Sequence, residues 1–176
     1  GIFTGMLVTV VSSGIMYKKY VNDLDAKLSG HLMYMRFYLS HLISKVDYTK
    51  VDSEIILDQE IDFSLGFYDK LIFECDELRR NLELQFIFRS NMKLYDKIIK
   101  ETTILRQDCA SISRNMRHAI DNKQKRSLLS SRDVKVEFFL KQVKELLMEF
   151  GKMENLKGKN LKEYESVIDK FVVKND

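Results

Sequence analysis

The chain has 176 residues, a length at which one domain buries its own core without disulfides or metals. It contains no proline and seven glycines, which excludes a fold built from many tight turns and favours a few long helices. With 29 basic and 26 acidic residues the net charge is +3, too small by itself to indicate a nucleic-acid partner. Two cysteines are too few for a zinc ribbon or a disulfide framework.

The opening stretch, GIFTGMLVTVVSSGIM, carries no charge over residues 2–16. As a helix these residues extend about 22 Å, short of a hydrocarbon core of about 30 Å. The residues that follow have the rings and cations typical of a membrane interface: Tyr17, Lys18, Lys19 and Tyr20. We interpret the stretch as a membrane-dipping helix or the end of a transmembrane helix. The alternatives are a buried helix or strand of a soluble domain, or a processed signal. The lysines indicate that the folded part lies on the cytoplasmic side.

Further along the chain, apolar residues recur in alternating steps of three and four, which is the helical period. Each such run predicts a helix with one buried face. The runs in chain order are Leu24, Leu28, Leu32, Met35, Leu39, Leu42 and Val46; Tyr68, Leu71, Cys75, Leu78 and Leu82; Tyr95, Ile98, Thr102, Leu105, Cys109, Ile112, Met116 and Ala119; Val136, Phe139, Val143, Leu146, Phe150 and Met153; and Leu161, Tyr164, Ile168 and Phe171.

Polar breaks between these runs predict the helix boundaries. Asp52 or Ser53 is a suitable N-cap for the second helix. The polar residues 121–133 predict a loop that ends in an N-cap at Ser130 or Ser131. The expected helices lie near residues 4–46, 54–84, 88–122, 132–155 and 160–173.

The fold class that these patterns predict is all-α. We expect an antiparallel bundle of about four to five long helices with coiled-coil-like seams, because the connections are short. Residues 1–19 are expected to form an apolar membrane-proximal or transmembrane segment, and residues 20–176 a single helical-bundle domain.

No residue pattern identifies a reaction. Glycine-rich phosphate loops and the zinc-protease motif are absent from the sequence. His31 and His41 lie about 15 Å apart on one predicted helix and therefore cannot share a metal. His118 is either a surface histidine or a phosphoacceptor on a helical hairpin. Cys75 and Cys109 are either small core residues or a single bridge between helices. We expect a protein without enzymatic activity and without a cofactor.

Charge is divided between two parts of the chain. Residues 47–78 hold ten acidic and two basic residues, whereas residues 79–135 hold fourteen basic and six acidic residues. One interpretation is internal, in which adjacent helices pair through complementary flanks. In the other, a basic region contacts lipid headgroups or nucleic-acid phosphates. The candidate residues for contact with an anionic partner are Arg114, Arg117, Lys123, Lys125, Arg126 and Arg132.

Two classes of function follow from these patterns. The first is a non-enzymatic structural or interaction module attached to a membrane, such as a subunit of a membrane complex or a sensory or signalling domain. It would contact protein partners through helical packing. The second is a soluble helical protein that binds nucleic acid or another anionic surface through the basic 114–132 region. A secreted helical ligand of the cytokine type is a third hypothesis, and heptad seams also allow an oligomer.

Overall fold

The computed structural model describes residues 2–83 and 92–153. Its elements in chain order are α1 (Ile2–Leu42), a 3-10 turn (Tyr48–Lys50), α2 (Glu54–Glu83), α3 (Met92–Arg117) and α4 (Asn122–Met153). No strand occurs in the described part of the chain, so the predicted all-α class is confirmed. The helix expected over residues 160–173 lies outside the described residues.

The four helices pack into one antiparallel bundle. On α1, His31 contacts Glu74 and His41 contacts Phe67, so the number of the α2 partner falls as the α1 number rises. Ion pairs between α2 and α3 and between α3 and α4 follow the same antiparallel direction. Packing of α1 along α4 closes the bundle.

The core consists of the periodic residues that the sequence predicts. In the described part of the chain, the residues of the first four predicted runs are buried, apart from Val46 and Ala119; the side chain of Met153 lies outside the described residues. Both exceptions lie beyond the ends of their helices. Each large apolar side chain in the core contributes roughly 1.5–3 kcal/mol relative to exposure, so the seams supply most of the driving force for folding.

The first helix ends four residues earlier than predicted, at Leu42. The reason is a pair of short polar side chains that bond to nearby backbone. Ser44 Oγ accepts a hydrogen bond from Val46 N–H at 3.1 Å, and Asp47 Oδ1 accepts one from Thr49 N–H at 3.2 Å. Such local bonds compete with the helical ladder and favour a turn.

The start of α2 agrees with the sequence. This helix begins at Glu54, and the hydroxyl of Ser53 accepts a hydrogen bond from the Ile56 N–H at 3.4 Å. Of the two predicted N-caps, Asp52 and Ser53, the structure therefore uses Ser53. The third helix ends at Arg117, five residues before its predicted end.

The loop predicted over residues 121–133, with an N-cap at Ser130 or Ser131, is wrong. The chain is helical from Asn122 onward. Asp121 is the N-cap, because its carboxylate accepts a hydrogen bond from a backbone N–H of the first turn at 2.8 Å. The helix was missed because its first turns carry cations on the inward face, where the apolar pattern predicts hydrophobic residues.

The transmembrane part of the prediction for the opening stretch is not supported. Among the residues that the structure describes, no helix combines the length and the apolar character needed to cross a membrane. Hydroxyl and glycine residues lower the hydropathy of residues 2–16, and a window of 18 residues that starts at Ile2 includes Lys18 and Lys19. The strand alternative is wrong, because residues 6–11, where β-branched residues cluster, lie within α1.

Candidate functional site

The first part of α1 precedes the buried residues that the structure describes on this helix. The first buried side chain described on this helix is Leu24, so Ile2 lies about 33 Å from it along the helix axis. We call residues 2–20 the N-terminal arm. Within the arm, Ile15 is 65% exposed and Met16 is 72% exposed. These two apolar side chains are therefore not covered by the bundle.

The predicted membrane-interface residues lie at the end of this arm. Lys18, Lys19 and Tyr20 are exposed, and the side chain of Tyr17 lies outside the described residues. Successive helical residues are about 100° apart, so the two cations and the ring point to different sides of the helix. This segment of α1 therefore has the residue types of a membrane interface, which are cations and a tyrosine.

Four of the six predicted anionic-partner residues are ion-paired within the chain. Their partners are carboxylates of α2 or of the segment just before it. The pairs are Arg117 with Asp69 at 2.9 Å, Lys125 with Asp58 at 2.5 Å, Arg126 with Asp52 at 2.8 Å, and Arg132 with Glu60 at 2.7 Å. Arg114 and Lys123 are exposed and form no ion pair with a residue that the structure describes. The opposed charges of residues 47–78 and 79–135 thus pair with each other within the chain, mostly at its surface.

Arg132 is the most buried of these cations, with 1% of its surface exposed. Its Nη1 donates to Glu60 Oε1 and to Ser64 Oγ, both at 2.7 Å, and its Nε donates to Asp133 at 3.2 Å. The guanidinium carbon lies 5.4 Å from the centroid of the Tyr48 ring. Burial acts to lower the pKa of Arg132, but its hydrogen bonds to Glu60 and Tyr48 and the neighbouring carboxylate raise it overall. Arg132 therefore belongs to the core, where it links α4 to α2.

The histidines are separate from one another. His31 Nδ1 lies 2.6 Å from Glu74 Oε2, and His41 Nδ1 donates to the Phe37 carbonyl at 2.8 Å. His118 is exposed just after α3. Within the described ranges, no three His, Cys, Asp or Glu side chains are grouped as a metal ion would need.

The two cysteines are free and buried in the seams of α2 and α3. Burial raises the pKa of Cys75 to about 12 and also raises the pKa of Cys109. Because the thiolate is the reactive form, neither thiol is a nucleophile near neutral pH. Their environment is that of small core residues, one of the two alternatives left open by the sequence.

A cluster of rings lies across α1 and α2, and we call it the aromatic face. Its members are Tyr34, Phe37, Tyr38 and His41 of α1 and Phe63 and Phe67 of α2. Neighbouring ring centroids lie between 4.2 Å, for Phe37 and His41, and 6.4 Å, for Tyr34 and Tyr38. Lys70 Nζ lies 5.4 Å from the Tyr38 centroid and 4.9 Å from the Phe67 centroid. The rings are thus in contact and bordered by a cation.

Sequence reasoning missed the aromatic face, because it followed only the seam that becomes buried. The signal was present in MYMRFYLSHL, where the rings of residues 34, 37, 38 and 41 recur in steps of three and four beside the seam. The α2 rings at residues 63 and 67 are also one turn apart. Only the antiparallel pairing of the two helices brings both sets together.

No protein-family model matches this chain, and no curated protein or solved structure shows significant similarity to it. Over the described residues, the fold and its surfaces define only a class of protein: a bundle of four helices with an aromatic face and with apolar side chains exposed on the N-terminal arm.

Proposed function

We propose that this chain is a non-enzymatic interaction module, attached to a membrane through the N-terminal arm and contacting a protein partner through the bundle. A subunit of a membrane complex and a sensory or signalling domain are both modules of this kind. The observation that carries the proposal is the pair of exposed apolar side chains, Ile15 and Met16, on the arm before the first buried residue described, Leu24. Leaving one large apolar side chain in water forgoes roughly 1.5–3 kcal/mol. Lipid would supply the burial that the bundle does not.

The length of the arm limits how it can attach. Residues 2–16 extend about 22 Å as a helix, less than the roughly 30 Å of a hydrocarbon core. The arm would therefore dip into the bilayer or form the end of a longer span. Lys18 and Lys19 would meet the headgroups, and each basic residue near an anionic surface contributes about 1 kcal/mol. The positive-inside tendency would then place the bundle on the cytoplasmic side.

Flotation of the full chain with vesicles of phosphatidylcholine and phosphatidylserine tests this attachment. We expect the chain to float and to stay bound through high-salt and carbonate washes. Replacing both Ile15 and Met16 by glutamate should release it, because a charge in the hydrocarbon region is costly. The proposal is contradicted if the double variant floats as well as the unchanged chain.

Charge at the arm is tested separately with the same vesicles. Lys18→Glu combined with Lys19→Glu should weaken binding to anionic vesicles and leave binding to neutral vesicles unchanged. A matched control makes the same charge change on the exposed surface of α4 by Lys141→Glu with Lys144→Glu. An equal loss in the control would show that overall charge, and not the arm, determines binding.

A second candidate function is binding of nucleic acid or another anionic polymer through the basic region. Arg114 and Lys123 favour it, because both are exposed and have no carboxylate partner among the described residues. Contact by all six candidate cations would require the internal ion pairs of four of them to open. The salt dependence of binding distinguishes the two cases, since each phosphate neutralised contributes about −0.9 to the slope of the logarithm of the binding constant against the logarithm of the salt concentration. Contact by these two residues predicts a slope near −2, and contact by all six a slope near −5.

A further inference from the structure

The aromatic face is exposed although its rings touch one another. Tyr34 is 58% exposed, Phe37 is 39% exposed and Phe63 is 45% exposed. Single exposed apolar residues are common on protein surfaces, and Phe138 on α4 is such a case. A contiguous group of exposed rings is different, because such patches mark sites of interaction with other molecules.

A cation borders the aromatic face. Lys70 lies over two of the rings and forms no ion pair with a described residue. Lys27 is exposed two helical turns before Tyr34, on the same side of α1. The Glu74 carboxylate, one helical turn after Lys70, is engaged by His31 at 2.6 Å, and the exposed Asp62 directly precedes Phe63 in the sequence. Lys70 is therefore a cation without an ion pair among the described residues, beside an apolar surface.

The backbone of α2 is open to close approach within this face. Gly66 lies between Phe63 and Lys70 in the sequence. Apart from its two chain neighbours and the nearby α2 backbone, no atom lies within 4 Å of the position that a Cβ would occupy there. A glycine in a helix interior costs about 1 kcal/mol relative to alanine. A partner helix could lie close to α2 at this point, with its side chains between the rings.

We propose that the aromatic face docks a helix of a partner protein, one that presents an apolar stripe flanked by acidic side chains. The apolar stripe would pack against the rings, and a carboxylate would pair with Lys70. This inference rests on the interaction-module part of the proposed function and does not depend on membrane attachment.

Position disfavours lipid as the occupant of the aromatic face, because Tyr34 lies about 21 Å along α1 from Tyr20 at the end of the N-terminal arm. An amphipathic helix with acidic flanks would cover the rings and would also pair with Lys70.

Two synthetic peptides test the docking proposal. Each is about three heptads long, with leucine at the a and d positions and either glutamate or lysine at the e and g positions. Binding to the full chain in detergent micelles is measured by fluorescence anisotropy. We expect the glutamate peptide to bind roughly five- to tenfold more tightly than the lysine peptide. Lys70→Glu should remove or reverse this preference without disturbing the core.

The apolar contribution is tested with matched phenylalanine variants. Phe63→Ser should weaken binding of the glutamate peptide roughly fivefold or more, as loss of a central aromatic contact does. Phe138→Ser removes an exposed ring from another helix and should change affinity less than twofold. Equal losses in the two variants would contradict the proposal.

Several other outcomes would overturn the docking proposal. They are no saturable binding of either peptide, an unchanged preference after Lys70→Glu, and a dimer of the chain that Phe63→Ser dissociates. Loss of vesicle flotation in Phe63→Ser would assign the aromatic face to lipid and would also contradict docking. If the arm variants fail to change flotation while the peptide preference reverses as expected, membrane attachment fails and docking stands.

Discussion

Replacing Arg132 by methionine removes the buried cation that joins α4 to α2. Its guanidinium donates to Glu60 and Ser64 at 2.7 Å, and methionine can make neither bond. Breaking a buried ion pair costs about 3–5 kcal/mol, because one charge is left without a partner. Glu60 keeps 26% of its side chain in contact with solvent, which lowers that penalty. We therefore expect a loss of about 3 kcal/mol in the free energy of unfolding.

Urea unfolding followed by far-UV circular dichroism measures this loss. With a slope of about 2 kcal/mol per molar urea, a loss of about 3 kcal/mol lowers the midpoint by about 1.5 M. Arg114→Met is the matched control, since Arg114 is exposed and has no ion pair among the described residues. Its effect should stay within about 0.5 kcal/mol.

A double variant separates the unpaired charge from the lost packing. Arg132→Met combined with Glu60→Gln removes the Glu60 carboxylate and leaves only Asp133 without its partner. It should therefore be more stable than Arg132→Met alone by about 1 kcal/mol or more. The reasoning is refuted if Arg132→Met costs no more than Arg114→Met. It is also refuted if Glu60→Gln gives no recovery.

Three further predictions concern single sites. Because burial raises the pKa of Cys75 to about 12 and also raises that of Cys109, alkylation at neutral pH should be slow and should become fast only in denaturing urea. Burial also raises the pKa of Asp25, although its hydrogen bond from Tyr95 acts to lower it. The contribution of Asp25 to the free energy of unfolding should therefore fall as pH rises above the unfolded carboxyl pKa near 4. Asp25→Asn should therefore be stabilising at neutral pH, with no such gain at pH near 3, in urea titrations at both pH values. Gly66→Ala should raise the free energy of unfolding by about 0.5–1 kcal/mol in the same titrations, because the added methyl group meets open space.

The buried seams could be predicted from the sequence because they depend on one local rule, the helical period. Leu28 and Phe139, for example, are buried where the steps of three and four place them. Helix ends were harder, since they depend on single side chains such as Ser44 and Asp47, whose bonds to the backbone end α1 before Val46.

Two features required the tertiary structure. The start of α4 was missed because Lys125 and Arg132 lie at inward positions where the pattern predicts apolar residues, and only the carboxylates of α2 make such positions favourable. The aromatic face was missed because it is assembled from two helices that meet through antiparallel packing. The acidic and basic parts of the chain were evident from the sequence, but the partner of each cation was not. The division into residues 1–19 and 20–176 stays a prediction.

Tryptophan fluorescence tests the central claim most directly, because the chain contains no tryptophan. Tyr20→Trp places a single reporter at the end of the N-terminal arm, and Tyr34→Trp places one on the aromatic face of the same helix. With vesicles that contain brominated lipids, we expect strong quenching at position 20 and little at position 34. Quenching at neither position, or mainly at position 34, would contradict attachment through the arm.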